Sequence, residues 1–550
     1  MATQKTNLMW KTFQGLRKLN SVNSDSELGA DVAANVYLSK EKSGQNRSIK
    51  TSGWFNDYLS LSEPIIRLFS ANLSGYANPN QLIAFTKSGT NINAWIIEDD
   101  SGILEPAVQI ASFPLAQDVT SVTMVQFGDR MVVACAFNTD MIGFIAYSAT
   151  PLPGWVNQGG QWYYQNPVIQ EATTQSTVNN ISELVPFGSR LAINGQTTYS
   201  QQGIESIFGV WFSEAGNPIQ FTKDFITAAT NTSAFFAETG EYVNKLIEYN
   251  GLTAGCQNRM YNVRGGSQAD YGVDTLTAKG VFGNAMFVIN GQCAYVDSYA
   301  NNIFVLKNNI DGTIGFDSPI GDDIMDFLSD VKDVTINSLG RRVRMLKSTG
   351  ESLCYDVDIG EWTIERFAKN SRAVTFLNKE IMCDGTLTTK QITLVRMPTS
   401  VQLADNDGFF SRYRSNLMWL DSQSSLKSHI YPFAIILEPQ TNNDFFIRFI
   451  TDRRHIYTAR VTRAGFANIA TYSGSSAVPE DGSQFVADAA DLSGRVFMSA
   501  QGSELLVTID RPPAWRYLQI EIYTNQPGME FNISGIEGKQ TFITDEMLDY

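Results

Sequence analysis

Histidine is scarce in this 550-residue sequence: there are two, His429 and His455. Ser–His–Asp chemistry needs an imidazole beside its nucleophile, and neither histidine lies in a nucleophile motif. His429 opens a strand before Ile430, and His455 follows Asp452-Arg453-Arg454. The carboxylate pairs Asp99-Asp100 and Asp322-Asp323 are adjacent in sequence, as in solvated turns. An acid and base working on one bond would face each other across a cleft. Asp405-Asn406-Asp407-Gly408 begins like a calcium loop, but the glutamate that would complete the ligand set is missing, so it reads as a turn. The five cysteines, Cys135, Cys256, Cys293, Cys354 and Cys383, are far apart, with no CxxC and no histidine nearby in sequence. That pattern predicts buried, reduced thiols and not zinc. There is no P-loop and no GxGxxG. The residues predict no enzyme, no cofactor and no metal.

Aromatic side chains are the other candidates, as contacts for partners. Trp10 and Phe13 lie in a basic N-terminal stretch with Lys5, Lys11, Arg17 and Lys18. It reads either as an arm reaching a neighbour or as a segment pinned to its own domain. Trp155, Trp162, Tyr163 and Tyr164 crowd a Pro- and Gly-rich loop, Pro151 to Pro167. Exposed, such a loop marks a partner surface. The favoured alternative is a hairpin that packs its own aromatics.

The elements around these residues are short strands. Aromatics make up 11%, Gly numbers 42, and charged residues are only 18%. This suits an all-β chain with many turns. The net charge of -15 disfavours a sequence-reading nucleic-acid binder, which needs a basic footprint. Met1 to Asn7 holds no apolar signal core, and apolar runs such as Met131 to Phe137 are too short to span a bilayer. A chain made in the cytoplasm, without a membrane span, is expected.

Hairpin-like units recur. Examples are Val122 to Phe137 around Gly128-Asp129, Leu184 to Ile193 around Gly188-Ser189, and Leu246 to Ala254 around Asn250-Gly251. Others begin at Gln81, Val281, Val334 and Val374. Repeated units of this length predict a β-propeller over 31–395. Irregular spacing blurs the count, and about six blades are expected. Pro319 to Val331 reads as a short helix with Asp322 and Asp323 in its first turn. After about residue 395, strands with cleaner alternation predict an antiparallel β-sandwich over 396–540. An arm over 1–30 and an acidic tail over 541–550 complete the division.

Several segments, in order, resemble the tail nozzle or tail hub (DNA-stabilisation) β-propellers of short-tailed bacteriophages. They are Asn35-Val36-Tyr37, then Val210-Trp211-Phe212-Ser213-Glu214-Ala215-Gly216-Asn217-Pro218, the strands between Ile247 and Leu306, and the Tyr355-Asp356 to Trp362 hairpin. The resemblance covers roughly residues 30–390. It implies a virion protein forming a homo-hexameric ring at the distal end of the DNA channel. Portal- or adaptor-side proteins and tail fibres would dock on it, and double-stranded DNA would pass without sequence-specific binding. A carbohydrate-binding or glycan-acting propeller is the alternative from another class. Another baseplate or fibre-attachment component is the third.

Overall fold

The computed structural model describes most of residues 5–544. Outside its description lie 1–4, 17–26, 41–46, 74–79, 101–102, 105–107, 115–120, 137–140, 166–177, 200–204, 219–220, 222–233, 309–313, 337–341, 367–371, 384–390, 397–410, 420–425, 438–442, 452–455, 465–467, 470–495, 510–516, 526–528 and 545–550, with a few single or paired positions. The described chain forms two compact units.

The larger unit, Asn56–Glu351 with Ala368–Leu394, is a β-propeller. Blade 1 is Ile65–Asn72, Asn80–Ser88, Asn91–Ile97 and Val108–Pro114. Blade 2 is Ser121–Phe127, Arg130–Ala136, Met141–Tyr147 and Trp162–Gln165, with Val156–Gly159 added outside. Blade 3 is Leu184–Phe187, Arg190–Tyr199, Glu205–Phe212 and Phe235–Glu238. Blade 4 is Val243–Glu248, Leu252–Cys256, Met260–Arg264 and Gly272–Thr277. Blade 5 is Val281–Ile289, Gln292–Asp297, Ile303–Asn308 and Ile314–Phe316. A 3-10 helix, Asp322–Asp330, leads into blade 6, which begins with Val331–Ile336 and Arg342–Lys347. Blade 7 is Arg372–Phe376, Lys379–Cys383 and Gln391–Arg396, and its fourth strand is Gly53–Ser60, from before blade 1.

The first strands of blades 1 to 7 stand side by side in chain order, and the first strand of blade 7 returns to that of blade 1. The ring therefore has seven blade positions, one more than the irregular spacing predicts. Strand Gly53–Ser60 closes it by joining the end of the propeller to its beginning.

The apolar runs follow from this geometry. A blade strand is covered on both faces, so strict alternation gives way to continuous hydrophobicity. On Asn80–Ser88, Leu82 and Ala84 pack toward blade 7 with Phe376 and Ile381. Ile83 and Phe85 pack toward blade 2 with Val122, Met131 and Val133. Separate clusters join blades 2 and 3, 3 and 4, and 4 and 5. All five cysteines are free and buried.

The second unit is Met1–Phe55, Ser352–Phe367 and Val395–Tyr550. Here Asn443–Thr451 pairs with Ile456–Ala464 and Tyr517–Tyr523, which in turn pairs with Arg412–Ser415. Leu426–Leu437 pairs with Glu504–Ile509 and Asn532–Thr544. Buried apolar side chains on the two antiparallel runs include Ile435, Phe445, Phe449, Ile520, Ile522, Ile533 and Ile536. The Phe531 ring meets Phe445 at 5.9 Å, edge to face. This is the expected sandwich, with strand positions close to those read from the alternation.

Its boundaries differ from the expected ones. The stretch 1–30 is no separate arm. Lys5–Trp10 pairs along Asn532–Thr544, from Lys5↔Thr541 to Trp10↔Ile536. Thr12–Leu16 runs parallel to Glu27–Ala34, which pairs with Arg412–Ser415. Backbone donors and acceptors at those sheet edges need partners, and the N-terminal strands supply them. Residues 31–55 and 352–367 thus leave the expected propeller span of 31–395. Of the expected acidic tail, Thr541–Thr544 completes a strand, and 545–550 lies outside the described residues.

Candidate functional site: a charged ring on the propeller axis

Four charged residues sit at matching places in four blades, just before or within the innermost strands. They are Arg67 in blade 1, Glu183 before blade 3, Lys245 in blade 4 and Asp333 in blade 6. Each follows the same local pattern of apolar, any, charged, apolar: Ile65-Ile66-Arg67-Leu68, Ile181-Ser182-Glu183-Leu184, Val243-Asn244-Lys245-Leu246 and Val331-Lys332-Asp333-Val334.

The backbone explains the pattern. Pairing slips between Ile65 and Arg67, between Val243 and Lys245, and between Val331 and Asp333. Each slip is a β-bulge, and a bulge re-aims the side chain beside it. Packing shows the extra residue. Ile65 and Leu68, three apart, both enter the blade 7–blade 1 core, and Val243 and Leu246 both enter the blade 3–blade 4 core. Regular alternation would place residues three apart on opposite faces. The residues the slips leave unpaired are Ile66, Asn244 and Lys332, and the charged residue follows each of them.

Lys245 Nζ bonds Glu183 Oε1 at 3.0 Å, and the two side chains are 22% and 13% exposed. Burial works against the Lys245 ammonium, but Glu183 and Asp333 outweigh it and hold Lys245 above its ordinary value. Burial lifts Glu183, with Asp333 adding to the lift and Lys245 and Arg67 opposing it. The coupling joins blades 1, 3, 4 and 6, which alternate cation, anion, cation, anion around the ring.

Asn194, fully buried on the second strand of blade 3, fixes the pair. Its Oδ1 accepts the backbone N–H groups of Ser182 and Glu183, both at 2.9 Å. Its Nδ2 donates to Ser182 Oγ at 2.8 Å and to Val243 O at 2.7 Å. One amide thus ties the segment bearing Glu183 to the strand bearing Lys245.

A second polar assembly lies wholly in the sandwich unit. Glu521, fully buried, takes Arg412 at 2.5 Å and Arg448 at 2.9 Å on its two oxygens. Arg448 also donates to Tyr523 OH at 3.1 Å. Beside them Asp31 holds Arg414 at 2.9 Å and accepts from Gln519 at 3.1 Å. This ladder crosses four neighbouring strands and reads as cross-linking.

The aromatic candidates fare differently from the partner-contact expectation. Phe13 is fully buried and meets Tyr413 edge-on at 5.4 Å. Trp162, Tyr163 and Tyr164 are 4%, 7% and 4% exposed. Trp162 packs on Tyr147 and Tyr164 on Phe113, and burial pushes the Tyr164 phenol up to about 12. These four are core residues and not contacts, because the loop closes as the hairpin Val156–Gly159/Trp162–Gln165. Trp155 is half-buried, with Phe144 at 6.4 Å and the Arg130 guanidinium over its ring. The side chains of Trp10 and His429 lie outside the described residues, as do His455 and Asp405–Gly408. Asp99-Asp100 forms a two-residue strand pairing with Ile103–Leu104. Asp322 accepts from Asn302 Nδ2 at 2.6 Å as the 3-10 helix begins.

The Val210–Pro218 segment proves to be a tie between turns. Ser213 Oγ accepts from Leu191 N at 2.9 Å, and Gly216 N donates to Ser189 O at 2.7 Å. Arg190, 3% exposed, donates to Ser213 O and to Gly266 O of blade 4.

No family model matches the sequence, and no curated protein matches it. Among solved structures, a protein from Lactobacillus plantarum, determined as a structural-genomics target, is similar with a TM-score of 0.34 and 11% identity. The similarity covers 60% of this chain and 94% of that one. Among the described residues no helix is long and apolar enough to cross a membrane.

Proposed function

We propose that this chain is a structural virion protein of a bacteriophage tail, forming the hexameric nozzle or hub at the distal end of the DNA channel. Neighbouring tail proteins or fibres dock on it. The observation that carries the reading is the closure of the propeller. Its last blade is completed by a strand from before the first, so the segments that enter and leave the propeller are zippered into one sheet. A channel component that bears load during ejection benefits from such a closure. The segments that resemble those of nozzle propellers support the same reading, since Val210–Pro218 has a definite structural task as the tie from blade 3 to blade 4. The N-terminal strands add to it by fastening the chain's start into the sandwich unit. A closed, rigid wedge is suited to cyclic packing.

Mass photometry of the purified chain, alone and mixed with tail-less phage particles, tests the proposal. The expected result is a species of six times the chain mass, or uptake onto particles in six copies. A chain that stays single in both settings and cleaves or captures glycans on an array contradicts it.

A further inference from the structure

The chain holds three Asn-Gly pairs, Asn194-Gly195, Asn250-Gly251 and Asn290-Gly291, each preceded by a bulky apolar residue. Such a pair is open to attack by the main chain on its own side chain, because glycine puts no Cβ beside its nitrogen and lets the backbone turn freely. Sequence ranks the three alike, and the fold separates them. Asn194 is buried within the second strand of blade 3, with its Oδ1 and Nδ2 both engaged. Asn250 is exposed at the first turn of blade 4, but that turn is clamped. The buried Asn262 donates from Nδ2 to Asn250 O at 3.0 Å, and Tyr249 N donates to Gly251 O at 2.9 Å. A Cβ on Gly251 would meet Asn262 Oδ1 at 2.7 Å and Val263 O at 2.9 Å, so this glycine is packed on the next strand. Asn290-Gly291 is the matching turn of blade 5, beyond the last ladder pair Ile289↔Gln292. Both residues are exposed and left-handed, at φ 49 and 72. Chain neighbours aside, nothing among the described residues lies within 4 Å of where a Cβ on Gly291 would sit. Among those residues the Asn290 amide has no hydrogen-bond partner.

We propose that Asn290 is a site of spontaneous deamidation in the folded protein, and that the fold protects Asn250 and Asn194 from the same reaction. The Gly291 nitrogen gives up its proton to solvent base and bonds to Asn290 Cγ. The Cγ–Nδ2 bond breaks, and Nδ2 takes a proton from water and leaves as ammonia. Water then opens the cyclic imide. Addition at Cγ gives aspartate, and addition at the main-chain carbonyl carbon gives isoaspartate. The sum is amide plus water to carboxylic acid plus ammonia, with no redox change. Ring closure requires the turn to leave its folded conformation. That opening is local at Asn290, whereas at Asn250 it also breaks the Asn262 clamp, and at Asn194 it disrupts a buried strand. The product places a carboxylate in the turn between the two inner strands of blade 5, and its isoaspartyl form adds a methylene to the backbone there. The inference stands on the turn geometry and is independent of the tail role.

The test holds the purified full chain at pH 8 and 37 °C, natively and in urea, and follows the sites by peptide mass spectrometry. Lysines and arginines put the three pairs on separate tryptic peptides, and fragmentation places each new carboxylate. In the native chain Asn290 should convert roughly tenfold faster than Asn250, and Asn194 should stay intact, because opening free energies differ from site to site. In urea, where these contacts are lost, the three rates should converge to within about twofold. Asn262→Ala should speed Asn250 several-fold and leave Asn290 unchanged. Should that variant fail to fold, the native and urea comparison carries the test. The proposal is overturned if Asn250 or Asn194 converts as fast as Asn290 in the native chain. It is also overturned if Asn290 converts in urea alone, or if the native order persists in urea.

Discussion

At the scale of single residues, two carboxylates sit in contrasting surroundings. Glu521 is held by two arginines, and its removal would strand both. Glu521→Ala is expected to cost about 3–5 kcal/mol in chemical unfolding of the sandwich unit, since breaking a buried ion pair leaves uncompensated charge. Glu530 is raised by burial from 4.5 to about 7. Between those values the folded state keeps a proton that the unfolded state has released. This contribution to stability is full below about pH 4.5 and is lost as pH rises through about 7. Glu530 is half-exposed to solvent screening, so the loss is about 1–2 kcal/mol. Glu530→Gln should flatten that slope, as read by unfolding midpoints at pH 5 and pH 8. Neither role was legible from residue type alone, because burial and pairing are set by strands far apart in sequence. The axial ring did leave a trace: a charged residue between apolar residues at the start of four blades. It hid because each copy alone looks like an ordinary strand edge, and only the repeat gives it meaning.

At the scale of elements, glycine marks how closely the N-terminal strand is laid in. A Cβ on Gly15 would lie 2.1 Å from the Trp362 carbonyl oxygen, while Gly15 N donates to Glu361 Oε2 at 3.0 Å. A backbone atom cannot swing aside. Gly15→Ala should therefore push Thr12–Leu16 off its partner and cost about 1–3 kcal/mol. Hydrogen exchange checks this: amides of Thr12–Leu16 should lose protection while those of Arg190–Tyr199 in blade 3 keep theirs. The strands themselves were largely readable. Continuous apolar runs marked blades and alternation marked the sandwich, as Asn443–Thr451 and Tyr517–Tyr523 illustrate. The pairing of Lys5–Trp10 with Asn532–Thr544 was not, since no local pattern says which distant edge a strand will join. For Trp162, Tyr163 and Tyr164 the favoured hairpin reading is the one the structure shows, through the pairing of Val156–Gly159 with Trp162–Gln165.

At the scale of the whole molecule, the propeller is closed by one strand and centred on one ring of charges. Seven blades, and not about six, follow from the seven innermost strands, which the irregular loop lengths obscured. The sandwich unit draws on three separate stretches of chain, so sequence order alone could not delimit it. The central claim is that bulges in the inner strands set Arg67, Lys245 and Asp333 at matching places in their blades, with Lys245 on Glu183. Cryo-electron microscopy of the purified protein at side-chain resolution tests it most directly. The account predicts seven inner strands, with Lys245 on Glu183 and a bulge ahead of Arg67, Lys245 and Asp333. Six blades, or regular inner strands with Arg67 and Lys245 packed between blades, would contradict it.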